Sequence, residues 1–411
     1  MPLIIDPGRL RRSLEEMARI GATPGGGVHR PTLTDADREA RDLFAAWCRE
    51  AGLAVTVDEM GNMFARRPGA DDSAPPAMMG SHLDSVPYGG RFDGSLGVLA
   101  ALEVVRSLSD RGIRTRRPVE VVNWTNEEGP RFPPSMLGSG AFCGKYGVEW
   151  AYGLRDGEGK RFGEELARIG YRGPAPCRPR PVGCYLELHI EQGPVLEKEG
   201  VQIGAVEGIV GITWLRAAMK GERDHAGPTP MSMRRDALVG AARAVAAIRE
   251  VPGKLHPDMV ATVGEMSVSP NAINVIPERA AFSVDFRHSD EVLVQRAREM
   301  VIEAIEAAAR GEGLEVSVEE VSRSTALPFH PEAVGAVAGA CREAGYTCRR
   351  MWSAAGHDAR YLAELGPAAM IFIPCAGGKS HTELEDASWE DVARGGDVLA
   401  RALITLAGRA A

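Results

Sequence analysis

Basic charge, cysteine and long apolar runs are all in short supply in this chain. Its 411 residues carry 48 Lys and Arg against 56 Asp and Glu, a net charge of −8. The two signs are well mixed, so the basic face that a nucleic-acid partner would require is missing. No apolar run approaches the roughly 20 residues that span a bilayer, so no membrane partner is expected. The seven cysteines, at 48, 143, 177, 184, 341, 348 and 375, are scattered, odd in number and free of any C-x-x-C pair. That pattern points to free thiols in a reduced, cytoplasmic protein. The first residues, MPLIIDPGRLRRSLEEM, have no positive stretch followed by an apolar core, so no secretory signal is expected. No internal repeat or low-complexity tract is present. What remains, 44% apolar and 25% charged residues, is the composition of a soluble globular protein. The length implies two domains.

Apolar patterning gives the organisation. The spacing of Leu43, Phe44, Trp47 and Cys48 predicts a helix over 35–52. Strands are predicted over 77–81, 119–124, 184–190 and 368–374, with helices over 96–108 and 388–407. Strands alternating with helices imply a mixed, mostly parallel sheet and an α/β fold. Between them the grammar changes. Strands at 212–220, 259–268, 280–287 and 314–321 and helices at 234–250 and 289–310 follow the order βαββαβ, the ferredoxin-like split motif. In AFSVDFR, Phe282, Val284 and Phe286 face one side and Ser283, Asp285 and Arg287 the other. The reading is a first domain made of 1–210 and 326–411, interrupted by an inserted domain at 211–325.

Chemistry concentrates where strands end. GSHLDSVPYGGRFDG holds His82, Asp84 and Asp93; NWTNEEGPRF holds Glu127 and Glu128; LELHIEQG holds His189; GGKSHTELE holds His381. Taken singly, each has an ordinary explanation: a solvated H-x-D, a surface pair of acids, a core histidine, a loop histidine. As a set at the ends of strands, where α/β sheets bind ligands, they suggest a two-metal hydrolase. His82, Asp93, Glu128, His189 and His381 are the candidate ligands, with Asp93 placed to bridge. Glu127 is the candidate base beside a ligand. Asp84 is expected to accept the second ring N–H of a histidine ligand and fix its tautomer. Gly89, Gly90 and Gly94 are expected to let the backbone turn tightly.

These segments, with GIVGITW, DHAGPTPM, NVIPE and GHDA, resemble the M20 metallopeptidase clan over residues 20–400. The branch they resemble is that of N-carbamoyl-amino-acid amidohydrolases, allantoate amidohydrolase and β-ureidopropionase. Peptidase branches commonly place a carboxylate where this chain has His189. The resemblance implies that 1–210 and 326–411 form a catalytic di-metal domain and that 211–325 is a lid and dimerisation domain. It implies two divalent ions, zinc first, with manganese, cobalt or nickel as alternatives. His82 and His189 would hold one ion and Glu128 and His381 the other, with Asp93 bridging, Glu127 as base and Asp84 in support. Gln192, His225, Asn274, Arg287 and Gly356 would contact substrate. Independently, Arg287 can grip a carboxylate bidentately, and His225 can donate to a developing oxyanion.

The implied reaction is hydrolysis of the ureido C–N bond of an N-carbamoyl-L-amino acid by a cytoplasmic homodimer. Allantoate and N-carbamoyl-β-alanine are the alternative substrates. Allantoate-specific members carry a glutamine shortly after the GIVG-like turn, where this chain has Ile212, Thr213 and Trp214.

Overall fold

In chain order the first strands are β1 (Ala54–Val57), β2 (Met63–Arg67), β3 (Ala77–His82), β4 (Val119–Trp124), β5 (Cys184–Ile190) and β6 (Ile203–Ile209). Next come β7 (Gly211–Lys220), β8 (Asp224–His225), β9 (Val260–Thr262), β10 (Met266–Ser269), β11 (Val275–Ile276), β12 (Arg279–His288) and β13 (Glu315–Ser324). The last are β14 (Leu327–Pro328), β15 (Cys348–Ser353) and β16 (Ala368–Ile373). The structure, a computed structural model, describes residues 4–409. The chain packs as two units, one up to Glu207 and from Phe329 onward, the other Gly208–Pro328.

The first unit is built on a mixed sheet of order β1-β2-β4-β3-β5-β16-β6, with β15 also on β6; β14 pairs with the last residues of β6, Gly208 and Ile209, which fall within the bounds of the second unit. Its centre is parallel: β4 with β3, β3 with β5, and β5 with β16. The flanking pairs run antiparallel. Every residue of β3, β4, β5 and β16 is buried. That requires cover on both faces, and it explains why these strands read as near-continuous apolar runs. Helices Ser95–Asp110, Pro331–Ala344 and Trp389–Ala407 pack on this sheet. The last is started by Ser388, whose hydroxyl accepts from Asp391 N at 3.0 Å. Four parallel strands place their carboxyl ends along one edge. His82, Glu127, Glu128, His189 and His381 all lie at or after those ends, which is how segments far apart in sequence reach one place.

The second unit is an antiparallel sheet of order β10-β12-β7-β13, with β9 also on β12. Helices Ala237–Arg249 and Glu291–Gly311 cover one face. Leu215, Met219, Phe282, Val284, Phe286, Val301 and Ile305 form its core. Phe282, Val284 and Phe286 point inward, as their alternation requires. The single strand predicted over 259–268 is divided. Thr262 pairs with Asp285 and Met266 with Phe282, so one extra residue sits opposite β12 around Gly264. This is a β-bulge, which bends the strand and interrupts its ladder.

The sequence reading omitted the helices Pro7–Met17 and Pro331–Ala344 and the strands β1, β2, β6 and β15. β1 alternates exposed and half-buried residues at the sheet margin, so its apolar signal is weak. Among the described residues no helix is long and apolar enough to cross a membrane.

Candidate metal centre

His82 closes β3, and its Nδ1 lies 2.9 Å from the main-chain oxygen of Asp84. A carbonyl only accepts, so Nδ1 carries the proton and the Nε2 lone pair is free. Asp84 therefore sets the tautomer through its backbone, and the expectation that its carboxylate does so is corrected: Oδ1 is 3.9 Å away. That carboxylate instead accepts from the main-chain N–H groups of Glu127 and Glu128, each at 3.4 Å. Asp84 thus ties the β3 end to the β4 end. His189 repeats the device, with Nδ1 2.9 Å from the Ile190 oxygen.

Asp93 sits among three imidazoles. Its Oδ1 is 3.1 Å from His189 Nε2 and 3.6 Å from His82 Nε2, and its Oδ2 is 3.4 Å from His381 Nε2. Glu128 Oε2 is 3.4 Å from the same His381 nitrogen. The donors form two triads, His82–Asp93–His189 and Asp93–Glu128–His381, each with its ligand atoms within 4.8 Å of one another. The two triads share Asp93. At His82 and His189 the free Nε2 lone pairs face Asp93 Oδ1, acceptor against acceptor, an arrangement that suits a cation between them. Imidazole and carboxylate suit divalent ions of the zinc and manganese kind.

Gly94 has φ 63° and precedes helix Ser95–Asp110. A Cβ there would lie 2.3 Å from the His82 ring, so glycine is needed for the close approach as well as for the turn. Gly90 has no left-handed backbone. Its requirement is room, since a Cβ would lie 1.9 Å from the Glu385 carboxyl carbon.

Glu127 and Glu128 leave the end of β4 in different directions. Glu127 Oε2 is 3.6 Å from His82 Nε2, whereas Glu128 faces His381 and its Oε1 accepts from Val86 N at 3.1 Å. Burial pushes the Glu127 carboxyl well above the usual range, and Asp358, Glu128 and Asp84 push the same way against the pull of His82. Burial also raises Asp93, but the facing imidazoles more than reverse it, and its carboxyl is held well below the usual range. Asp93, held low, and Glu127, held high, each lie 3.6 Å from His82 Nε2, so environment sets these two carboxyls apart.

Gln192 donates through Nε2 to Asp93 Oδ2 at 2.9 Å and to Ser380 Oγ at 3.2 Å. Its Oε1 is buried and has no hydrogen-bond partner among the described residues. Asn126, Gln192 and His381 all adopt left-handed backbone, with φ of 58°, 57° and 55°. Such strain costs on the order of 1–3 kcal/mol per residue and gathers at functional sites.

Three neighbours escaped the sequence reading. Glu385, inside the GGKSHTELE segment, accepts from the Phe92 and Asp93 N–H groups. His357 stacks edge-on against His189 with ring centroids 4.5 Å apart, and its Nε2 lies 3.1 Å from Ser353 Oγ. Asp358 is buried and takes a hydrogen bond from Ser139. The motif GHDA offered the only local signal for the last two. Gly356, in that motif, packs against Met136.

The remaining candidates lie in the second unit. His225 and Asn274 come together because β8 pairs with β11: Val275 opposes His225, and Ala226 N donates to Asn274 O at 3.0 Å. Arg287 is elsewhere on that unit, eight residues along β12 from Arg279, about 26 Å of strand. Its guanidinium pairs with Asp285 on the same face, Nε to Oδ1 at 2.9 Å.

The family model for peptidase family M20/M25/M40 matches residues 78–405. The chain is 46% identical over 403 residues to the N-carbamoyl-L-amino-acid amidohydrolase of Rhizobium meliloti, covering 98% of this chain and 97% of that one. It is 40% identical to the N-carbamoyl-L-amino acid amidohydrolase of Geobacillus stearothermophilus, covering 96% and 97%. The crystal structure of an amidase of the hydantoinase/carbamoylase family from Burkholderia multivorans superposes with a TM-score of 0.95 at 49% identity, covering 98% of each chain. Two donor triads at the carboxyl edge of a parallel sheet and a match across most of the chain agree: this protein belongs to peptidase family M20/M25/M40.

Proposed function

We propose that this chain hydrolyses the ureido C–N bond of N-carbamoyl-L-amino acids, releasing the L-amino acid, ammonia and carbon dioxide. The observation that carries this reading is the pair of donor triads sharing Asp93, with the Glu127 carboxylate 3.6 Å from a ligand imidazole. His82 and His189 would hold one divalent ion and Glu128 and His381 the other, with Asp93 between them. Zinc is the first choice, and manganese, cobalt or nickel also suit the donors. When bound, such ions polarise a carbonyl oxygen and make water acidic enough to be deprotonated near pH 7. Glu127 takes the water proton and returns it to the leaving nitrogen. Gln192 turns its unpartnered Oε1 to a ureido N–H, a contact that an ordinary ester or ketone would not supply. Gly356 meets substrate through its main chain. Asp84 holds His82, Glu127 and Glu128 in register.

The second unit serves as a ferredoxin-like lid and as the dimerisation domain. Arg287 grips the substrate carboxylate, and His225 and Asn274 reach the ureido oxygen. These groups sit at opposite ends of the long β7–β12 pair: the separate β8–β11 ribbon follows Lys220 and precedes Arg279, and Arg287 lies at the far end of β12. One small substrate does not span that length. A homodimer through the lid accounts for it, each lid serving two sites. Seven free cysteines accord with a cytoplasmic setting.

The test is a panel of N-carbamoyl-L-amino acids, allantoate and N-carbamoyl-β-alanine assayed with metal-loaded protein. Highest kcat/KM on an N-carbamoyl-L-amino acid supports the reading. Preference for allantoate or the β-amino acid moves the assignment to those relatives, which share the ligand set. Mixing Glu127→Gln with His225→Ala protein tests the dimer, since shared sites would regain activity that neither variant has alone.

A further inference from the structure

We propose that Glu385 is a positioning residue that locks two of the metal-ligand segments to each other. The inference rests on the metal reading above and extends it to a carboxylate that is not itself a ligand. Glu385 is 4% exposed. Its Oε1 accepts two main-chain donors, Phe92 N at 2.9 Å and Asp93 N at 3.0 Å. Its Oε2 lies 3.2 Å from Ser380 Oγ, and that hydroxyl lies 3.2 Å from Asp93 Oδ2. Ser380 immediately precedes His381. One carboxylate therefore holds the backbone of the bridging ligand and the loop of the C-terminal histidine, segments 292 residues apart. Gly90 leaves the space for it, as any side chain there would overlap the Glu385 carboxyl.

The chemistry needs such a clamp. His381 is half exposed, with left-handed backbone, in a loop with no strand to hold it. Asp93 must present Oδ1 to one triad and Oδ2 to the other, so a small rotation of its backbone would spoil both. Two N–H donors fixed on one buried oxygen prevent that rotation. Partners of this kind are typically worth 10–100-fold in metal affinity.

The experiment is a Mn²⁺ binding isotherm on metal-stripped protein, with thermal unfolding of each stripped variant as the fold control. Glu385→Ala is expected to weaken Mn²⁺ binding by about 10–100-fold. Glu385→Gln should recover most of that affinity. Its oxygen keeps both N–H bonds, and its amide donates to Ser380 Oγ, which leaves the single hydroxyl proton for Asp93 Oδ2. Should Glu385→Ala fail to fold, Ser380→Ala carries the test, because it keeps both main-chain bonds to Glu385 and removes only the hydroxyl set between Glu385, Asp93 and Gln192, and it should weaken Mn²⁺ binding measurably while leaving unfolding unchanged. Wild-type affinity in folded Glu385→Ala, or a Gln variant as weak as the Ala one, overturns the clamp. Wild-type protein that binds no Mn²⁺ overturns the metal reading beneath it, and the two failures are told apart by that one curve.

Discussion

Met136 lies against Gly356, its Cε 3.1 Å from where a Cβ on residue 356 would stand. Met136 also donates its N–H to the Glu127 carbonyl at 2.7 Å, so this contact joins the loop after β4 to the GHDA motif beside the candidate base. Gly356→Ala should push the flexible thioether aside and narrow the space next to Glu127. The expected outcome is a rise in KM that grows with substrate side-chain size, and a double variant with Met136→Ala should recover the large substrates. A uniform loss across side chains would place the contact outside the substrate pocket.

Glu127→Gln removes the candidate base and leaves all five candidate ligands in place. Loss of a general base typically costs about 10²–10⁴-fold in rate. Metal content by elemental analysis should stay at the wild-type level while kcat falls by that factor. Near-normal kcat in a fully loaded variant would exclude Glu127 from proton transfer.

Asp93 faces both triads, so Asp93→Ala should disturb both together. The measurement is metal stoichiometry after dialysis against a limiting divalent ion. Retention of one full-occupancy site would show that the carboxylate serves a single ion.

Arg287→Ala should raise KM strongly for N-carbamoyl acids, and Arg287→Lys should rescue poorly, since an ammonium lacks the planar fork. Arg287 is held by Asp285 on its own strand, which pre-orients the guanidinium. A substrate amidated at the carboxylate should be turned over similarly by wild type and variant. Equal losses on acid and amide would remove Arg287 from carboxylate recognition.

Stability depends on a different pair. Arg41 and Asp37 are fully buried, with Arg41 Nε 2.9 Å from each Asp37 oxygen and Nη1 donating to Gly61 O at 2.8 Å. Removing one member leaves a buried charge without its partner, at a cost of about 3–5 kcal/mol. Asp37→Ala should lower the denaturation midpoint accordingly in urea titration, with active-site chemistry intact in the protein that remains folded. A change within about 0.5 kcal/mol would show that water relieves the guanidinium.

The candidate ligands were legible in the sequence because each carries its own chemistry and follows a recognisable apolar strand. His82, Asp93, Glu128, His189 and His381 stand out as a set by residue type and by their places at the ends of apolar strands. The buried strands were legible for the same reason, since strands covered on both faces are apolar throughout. A change of period in the sequence marked the stretch that packs as the second unit. What the tertiary structure decided is of another kind. That Asp84 fixes His82 by its carbonyl, with its carboxylate turned to the Glu127 and Glu128 amides, depends on backbone direction, which residue type does not encode. Glu385 reaches Asp93 across 292 residues through main-chain N–H groups that every residue but proline possesses. The separation of Arg287 from His225 and Asn274 follows from strand register, and Gly90 is required by what folds against it. Local pattern specifies the donors; only the assembled sheet specifies which of them meet, because meeting is a property of two distant segments at once.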